Sequence, residues 1–505
     1  MSAQFFPTAE QVTRSKFGQL IFNVVELGAD PTGVRDSTAQ LQQALNYAGS
    51  SMGGATVWVP YTPNGFVCGA LVIPPGVRLQ FDRGAKLVAP ASLSTSWLLF
   101  QQGAVHQGTS VIGGTWDASA VTSTSCYAVI DTSGVTSVPN VRISGNRIIN
   151  APVHGIFIGE ATFTYDKKWV DHNSIEGYGM RAVGYGIFAS YVGSIEIDSN
   201  FVGGGTNDGI ELGHSGYAYL SIHAHMRCTN NTIVSNGTLA SGQLQFPFSD
   251  NAEIIGNTVI GNTIQNDANT ADHVVIVANK VINATPQAGY AGIWVHGDYA
   301  EIADNDVQVT TLDGIGSDTM VHHNIVGNII ASSAATSSGT AINDTGSGSQ
   351  RSLIADNQAY TLSGGGFVTG IAIAGLGHQI TGNHLQSYVA LNVTGTYNNF
   401  ANNSFLQGGG GIGSTGDGTN TYHNNPGYNP VGPVTVAVPA SGSATAALPY
   451  DATFYITQTT AASSVAVQGQ AIAIPVGGPT AIRVPAGETL TPTYTTAPTW
   501  VVMGE

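Results

Sequence analysis

Ile143-Ser-Gly-Asn146, Val170-Asp-His-Asn173, Ile197-Asp-Ser-Asn200, Cys228-Thr-Asn-Asn231 and Ile254-Ile-Gly-Asn257 are variants of one phrase. A short apolar run leads into a turn, and the turn ends in asparagine. Shortened forms follow: Val277-Ala-Asn279, Ala303-Asp-Asn305, Val326-Gly-Asn328, Ala355-Asp-Asn357, Thr381-Gly-Asn383 and Ala401-Asn-Asn403. Successive asparagines lie 20–31 residues apart. That is the spacing of a solenoid, in which each repeat is one supersecondary unit stacked on the next. The runs are short and rich in Val and Ile, so each unit is β. Asparagine tolerates a left-handed turn and carries two donors and an acceptor. Stacked about 4.8 Å apart, such residues can bond one another and the neighbouring backbone as a ladder.

The bulk composition agrees. Of 505 residues, 65 are glycine and only 9% are charged, and turn residues alternate with short apolar runs throughout. No apolar run is long enough to span a membrane. Lys and Arg number 15 against 31 acids, for a net charge of −16, which argues against a nucleic-acid partner held through clustered cations. The first residues, Met1-Ser-Ala-Gln-Phe-Phe-Pro7, show no basic region followed by an apolar one, so no signal peptide is visible. The expected location is extracellular or virion-associated. Cys68, Cys126 and Cys228 are odd in number and widely spaced, which points to buried free thiols and not to a disulfide scaffold or a metal cluster.

Residues 1–20 read as an N-terminal arm. Phe22-Asn-Val-Val-Glu-Leu-Gly-Ala-Asp30-Pro-Thr-Gly33 is a strand and a turn. Ser37 with Gln40 fits a capping box, and Leu41, Ala44, Leu45 and Ala48 give the following helix one apolar face. Gly54-Ala-Thr-Val-Trp-Val-Pro60 and the Pro74-Pro-Gly-Val77 turn lead into the coils. A short amphipathic helix suits the open end of a solenoid. The stretch 22–88 resembles the N-terminal signature of the pectate-lyase-like superfamily of right-handed parallel β-helices. That superfamily includes polygalacturonases and phage tailspikes that degrade glycans. The resemblance implies a right-handed parallel β-helix, a polysaccharide substrate and, through the tailspikes, a homotrimer.

Residues 408–431 are rich in Gly, Asn and Pro, and beyond them the asparagine phrase disappears. Six short alternating runs follow, at 434, 453, 464, 471, 481 and 499, which suggests a small β-sandwich. The expected organisation is an arm at 1–20, a capped all-β solenoid at 21–425 and a sandwich at 426–505.

A second phrase locates the candidate chemistry: Gly155-Ile-Phe-Ile158, Gly186-Ile-Phe-Ala189, Gly209-Ile-Glu-Leu212, Gln243-Leu-Gln-Phe246 and Gly292-Ile-Trp-Val295. Side chains alternate along a strand. If Ile156, Ile187, Ile210, Leu244 and Ile293 point inward, then Phe157, Phe188, Glu211, Gln245 and Trp294 point outward. Rings stack on sugars, and carboxylates and amides bond hydroxyls. This stripe is either a carbohydrate groove or a set of rings covered by a loop or another subunit. Thr206-Asn-Asp208-Gly-Ile-Glu211-Leu-Gly-His214 is similar to the Asn-Thr-Asp-Gly-Ile-Asp phrase of polygalacturonases, and the resemblance implies that Asp208 acts at the anomeric carbon or its water. The family's paired Asp in the next coil is absent, since Ser241-Gly-Gln-Leu-Gln245 stands there.

Asp208 and Glu211 can lie up to about 10 Å apart on extended backbone, which leans towards the separation of about 6.5–9.5 Å used by inverting glycosidases. The candidate catalytic residues are therefore Asp208, Glu211 and His214. The candidate substrate-binding residues are Phe157, Tyr185, Phe188, Gln245, Trp294, His296 and Lys168. Lys168 belongs to an insertion read either as a groove wall for an acidic sugar or as a solvated loop. No cofactor and no metal are expected. A lyase drawing on Arg181, Tyr185 and Lys168, and a tail or adhesion protein that only binds glycan, stand as alternatives to a hydrolase.

Overall fold

The computed structural model describes every residue except 1–11, 15–19, 52–53, 162–165, 191, 214–224, 237–242, 248–250, 267–271, 285–290, 311–312, 318, 320, 334–338, 345, 347, 363–365, 408–409, 415–418, 424, 426–432, 449–450, 459–462, 478, 486 and 505. The chain divides into two units, Met1–Gly297 and Asp298–Glu505. In each, most strands lie in parallel ladders, and the fold is a parallel β-helix.

One coil of the first unit shows the plan. Arg142–Ser144 lies in a first sheet, the Gly145-Asn146 turn follows, Arg147–Ile149 lies in a second sheet, and His154–Gly159 lies in a third. Each sheet adds one strand per coil in unbroken register. Ile143, Val170, Ile197, Cys228, Ile254 and Ile276 stack in the first. Ile148, Ile175, Val202, Ile233, Val259 and Val281 stack in the second. Ile130, Ile156, Ile187, Ile210, Leu244, Ile264 and Ile293 stack in the third. All are buried, and each such side chain stabilises the fold by about 1.5–3 kcal/mol. The three free cysteines are buried, as expected.

The asparagine ladder runs through the turn between the first and second sheets. Asn146, Asn173, Asn200 and Asn231 each donate backbone N–H and side-chain Nδ2 to the Oδ1 of the next asparagine, at 2.9–3.0 Å. The left-handed residue, however, is the one before each asparagine: Gly145, His172, Ser199, Asn230, Gly256 and Ala278 have φ between 55° and 68°. The asparagines are therefore held for their side chains and not for their backbone tolerance.

The N-terminal helix Thr38–Ser50 buries Leu41, Ala44, Leu45 and Ala48, as its periodicity predicts. The capping box does not form. Ser37 Oγ instead accepts the Asp30 N–H, and the Asp36 carboxylate takes the Thr38 N–H. Within the segment read as an arm, Val12–Arg14 pairs antiparallel with Leu20–Asn23.

The second unit repeats the plan with two ladders. Asn305, Asn328, Asn357, Asn383, Asn403 and Asn425 form one. His323, Ser352, His378, Asn398 and Asn420 form another, each N–H reaching the next side chain. From Pro433 onward the strands are antiparallel, in sheets of four and three. They enclose Phe454, Ile456, Val465, Ile482, Leu490 and Val502. The strand missed in the sequence is Leu490–Thr493. It contains Pro492 and lies at a sheet edge, where a residue without an N–H is tolerated. No helix among the described residues is long and apolar enough to cross a membrane.

Candidate functional site on the third sheet

The third sheet carries the Gly-Ile phrases side by side. Leu99, Asp131, Phe157, Phe188, Glu211, Gln245, Gln265 and Trp294 follow one another in register, one residue after the inward Ile stack. The glycine of each phrase explains a second column. A Cβ on Gly155 would meet the Ile175 side chain at 2.9 Å, on Gly186 Val202 at 2.2 Å and on Gly209 Ile233 at 2.3 Å. Each glycine thus turns towards the core directly before an inward isoleucine. The residue ahead of the glycine is left on the outer side, beside the residue after the isoleucine. His154, Tyr185 and Asp208 therefore stand next to Phe157, Phe188 and Glu211.

The rings of the two columns interlock. His154 stacks on Tyr185 with centroids 5.2 Å apart and planes 6° apart. Phe157 and Phe188 stack at 5.0 Å, and Tyr185 lies 4.7 Å from Phe188. Tyr127 meets both His154 and Phe157 edge-on. Together they line a cleft of about 440 Å³, with Val183 and Glu160 at its sides. The stripe faces outward but is not open: Phe157 is 8% exposed, and Phe188, Glu211 and Asp208 are each 4% exposed.

Burial sets the protonation states. The His154 imidazole is pushed down to about 4 by burial, and its Nδ1 accepts the Tyr185 N–H at 3.0 Å. It is therefore neutral near pH 7. The Tyr185 phenol is pushed up by burial, then by the Glu211 and Asp208 charges and by its hydrogen bond to Glu211. It stays protonated, close to the Glu211 and Asp208 carboxyl groups and the Asn207 side chain. Two carboxylates, a phenol and an amide thus converge beside an aromatic cleft, a set suited to moving protons and bonding hydroxyls.

The other expected residues have partners of their own. Lys168 is not solvated: it is 1% exposed, and its Nζ sits 3.1 Å from the buried Glu160, which lines the cleft. Glu160 also accepts the Val138 N–H, so the pair braces a loop. Gln245 donates to Gln243 at 2.8 Å. Trp294 meets His296 edge-on at 5.6 Å, several coils from Glu211. His214 lies outside the described residues.

Asp131 and Gln265 escaped the sequence reading. The gap from Leu244 to Ile293 is roughly two coils long, which is the signal that a strand such as Ile264-Gln265 was due. Asp131 is held by Ser96 and by the Ser133 N–H.

No family model matches the chain, and no curated protein matches its sequence. Among solved structures, a double mutant of the tailspike protein of E. coli bacteriophage HK620, in complex with a pentasaccharide, superposes with a TM-score of 0.50. It is 11% identical and covers 97% of this chain and 96% of that one. The fold is similar to that of the HK620 tailspike. Another mutant of that tailspike, in complex with a hexasaccharide, gives 0.50 at 12% identity over 97% of this chain and 95% of that one. The catalytic unit of a GH87 α-1,3-glucanase from Streptomyces thermodiastaticus gives 0.46 at 15% identity, covering 83% and 70%. The parallel β-helix implied by the residue 22–88 signature is the fold observed.

Proposed function

We propose that the chain is a polysaccharide-degrading glycoside hydrolase that binds its glycan along the outer face of the third sheet and cleaves it at Asp208 and Glu211. The observation that carries this reading is the buried Glu211, whose charge acts on the Tyr185 phenol and which is flanked in register by Phe188 and Gln245. Glycoside hydrolysis needs two carboxyl groups, one to protonate the leaving oxygen and one to attack or to activate water. Asp208 and Glu211 share those roles, and Tyr185 orients Glu211. Phe157 and Phe188 offer stacking surfaces beside them, Gln245 follows Glu211 in the next coil, and Trp294 stands further along the same column beside His296; His214 is a candidate by its place in the sequence. The HK620 tailspike structures hold a pentasaccharide and a hexasaccharide, and an oligosaccharide on this chain's similar fold is the corresponding expectation. A protein of this activity works outside the cell that makes it, free or on a virion.

A polysaccharide lyase is less well supported. It needs a base, yet Lys168 is locked to Glu160 and the Tyr185 phenol is pushed up, away from the ionised form. The test is release of reducing ends from a glycan panel by wild type, Asp208→Asn and Glu211→Gln, with ultraviolet absorbance followed for unsaturated uronate. Reducing ends without that absorbance, lost in both variants, support the hydrolase. Absorbance growth supports the lyase. Binding without turnover in the wild type leaves a glycan-binding protein.

A further inference from the structure

We infer that this face selects uncharged sugars and excludes uronates and other anionic residues; the inference rests on reading the face as a glycan site. It comes from where the cations are. From residue 87 to residue 279 the sequence holds six Lys or Arg: Arg142, Arg147, Lys167, Lys168, Arg181 and Arg227. Five are paired with carboxylates: Arg142 with Asp171, Arg147 with Glu176, Lys167 with Glu196, Lys168 with Glu160 and Arg227 with Glu253, at 2.6–3.1 Å. Arg142 and Arg227 belong to strands of the first sheet and Arg147 to the second. Arg181 gives its Nε to the Val121 carbonyl at 3.0 Å.

The third sheet shows the opposite sign. Asp131 and Glu211 stand in its outer column, with Asp208 beside them. The two phenols at the cleft, Tyr127 and Tyr185, are both pushed up, chiefly by burial, and Glu211 contributes to each. Charges this close are screened weakly in a buried site. Among the described residues, a uronate, sialate or sulfate stacked on Phe157 and Phe188 would meet that field while the Lys168 ammonium is held by Glu160 and the Arg181 guanidinium is turned by its Nε to the Val121 carbonyl. A carboxylate recognised by a protein calls for an aligned guanidinium or ammonium. An uncharged sugar needs only the aromatic faces and the polar groups already present.

The test is a glycan array carrying uronate-containing oligosaccharides, each beside its carboxyl-reduced counterpart, probed with the full chain and with Glu211→Gln. The expected result is retention on uncharged members at least about tenfold above their anionic counterparts. Glu211→Gln should narrow that ratio, because it removes one negative charge. Retention confined to uronate, sialylated or sulfated members overturns the inference, as does an array that retains nothing. The hydrolase reading is decided separately, by whether the wild type releases reducing ends from the glycans it retains.

Discussion

Glu211 follows Phe188 and precedes Gln245 in the register of the third sheet, and its charge acts on the Tyr185 phenol. Tyr185→Phe removes the hydroxyl that can donate to Glu211 in the working enzyme and keeps the ring against His154. A hydrogen bond to a charged group is worth about 1.5–3 kcal/mol, so kcat should fall about 10–100-fold with KM nearly unchanged. Unaltered steady-state kinetics would contradict the orienting role. His378 makes a different prediction. It is buried next to His323 and Asp344, and its pKa is pushed from 6.5 down to about 4, first by burial and then by His323. The unfolded chain takes up that proton near the ordinary value, so it binds more protons than the native state between the two pH values. Stability is therefore lost as pH falls through that window. Asparagine can keep the ladder acceptor for Ser352 N–H without titrating. His378→Asn should flatten the drop of Tm between about pH 6.5 and 4, and an unchanged slope would assign the acid sensitivity to other groups, such as His154.

Among the coils, the asparagine ladder sets the register. Asn200 donates to Val170 O, Asp198 O and Asn231 Oδ1, and receives two bonds from Asn173. Asn200→Ala strands buried groups on both adjacent coils and should cost roughly 2–4 kcal/mol in chemical denaturation. Asn425, the last rung among the described residues, receives two bonds from Asn403 and donates within them to Phe400 O alone, so Asn425→Ala should cost clearly less. Equal losses would mean that the rungs do not act as a chain. The ladder and the Ile stacks were legible in the sequence because they repeat in residue type. The second ladder was not, because His323, Ser352, His378, Asn398 and Asn420 share a function without sharing a side chain. The outward stripe was legible through alternation. Its companion column required knowing that glycines 155, 186 and 209 turn into the core, which brings Tyr185 and His154 to the site. The burial of Lys168 was hidden because its partner, Glu160, lies across an insertion whose path the repeat does not dictate.

For the whole molecule, the expected homotrimer is open to light scattering, which should give three times the 52.0 kDa of one chain. The four-stranded C-terminal sheet exposes Tyr455, Val501 and Met503 on adjacent strands, an apolar surface consistent with such an assembly. A mass of one chain would remove that expectation. The hydrolase account itself rests on Glu211. Its most direct test is turnover and binding of one retained glycan by wild type and Glu211→Gln, side by side. The expected result is a loss of about 10²–10⁴-fold in kcat with the glycan still bound. Turnover undiminished in Glu211→Gln, or absent from the wild type on every glycan it binds, would contradict the account.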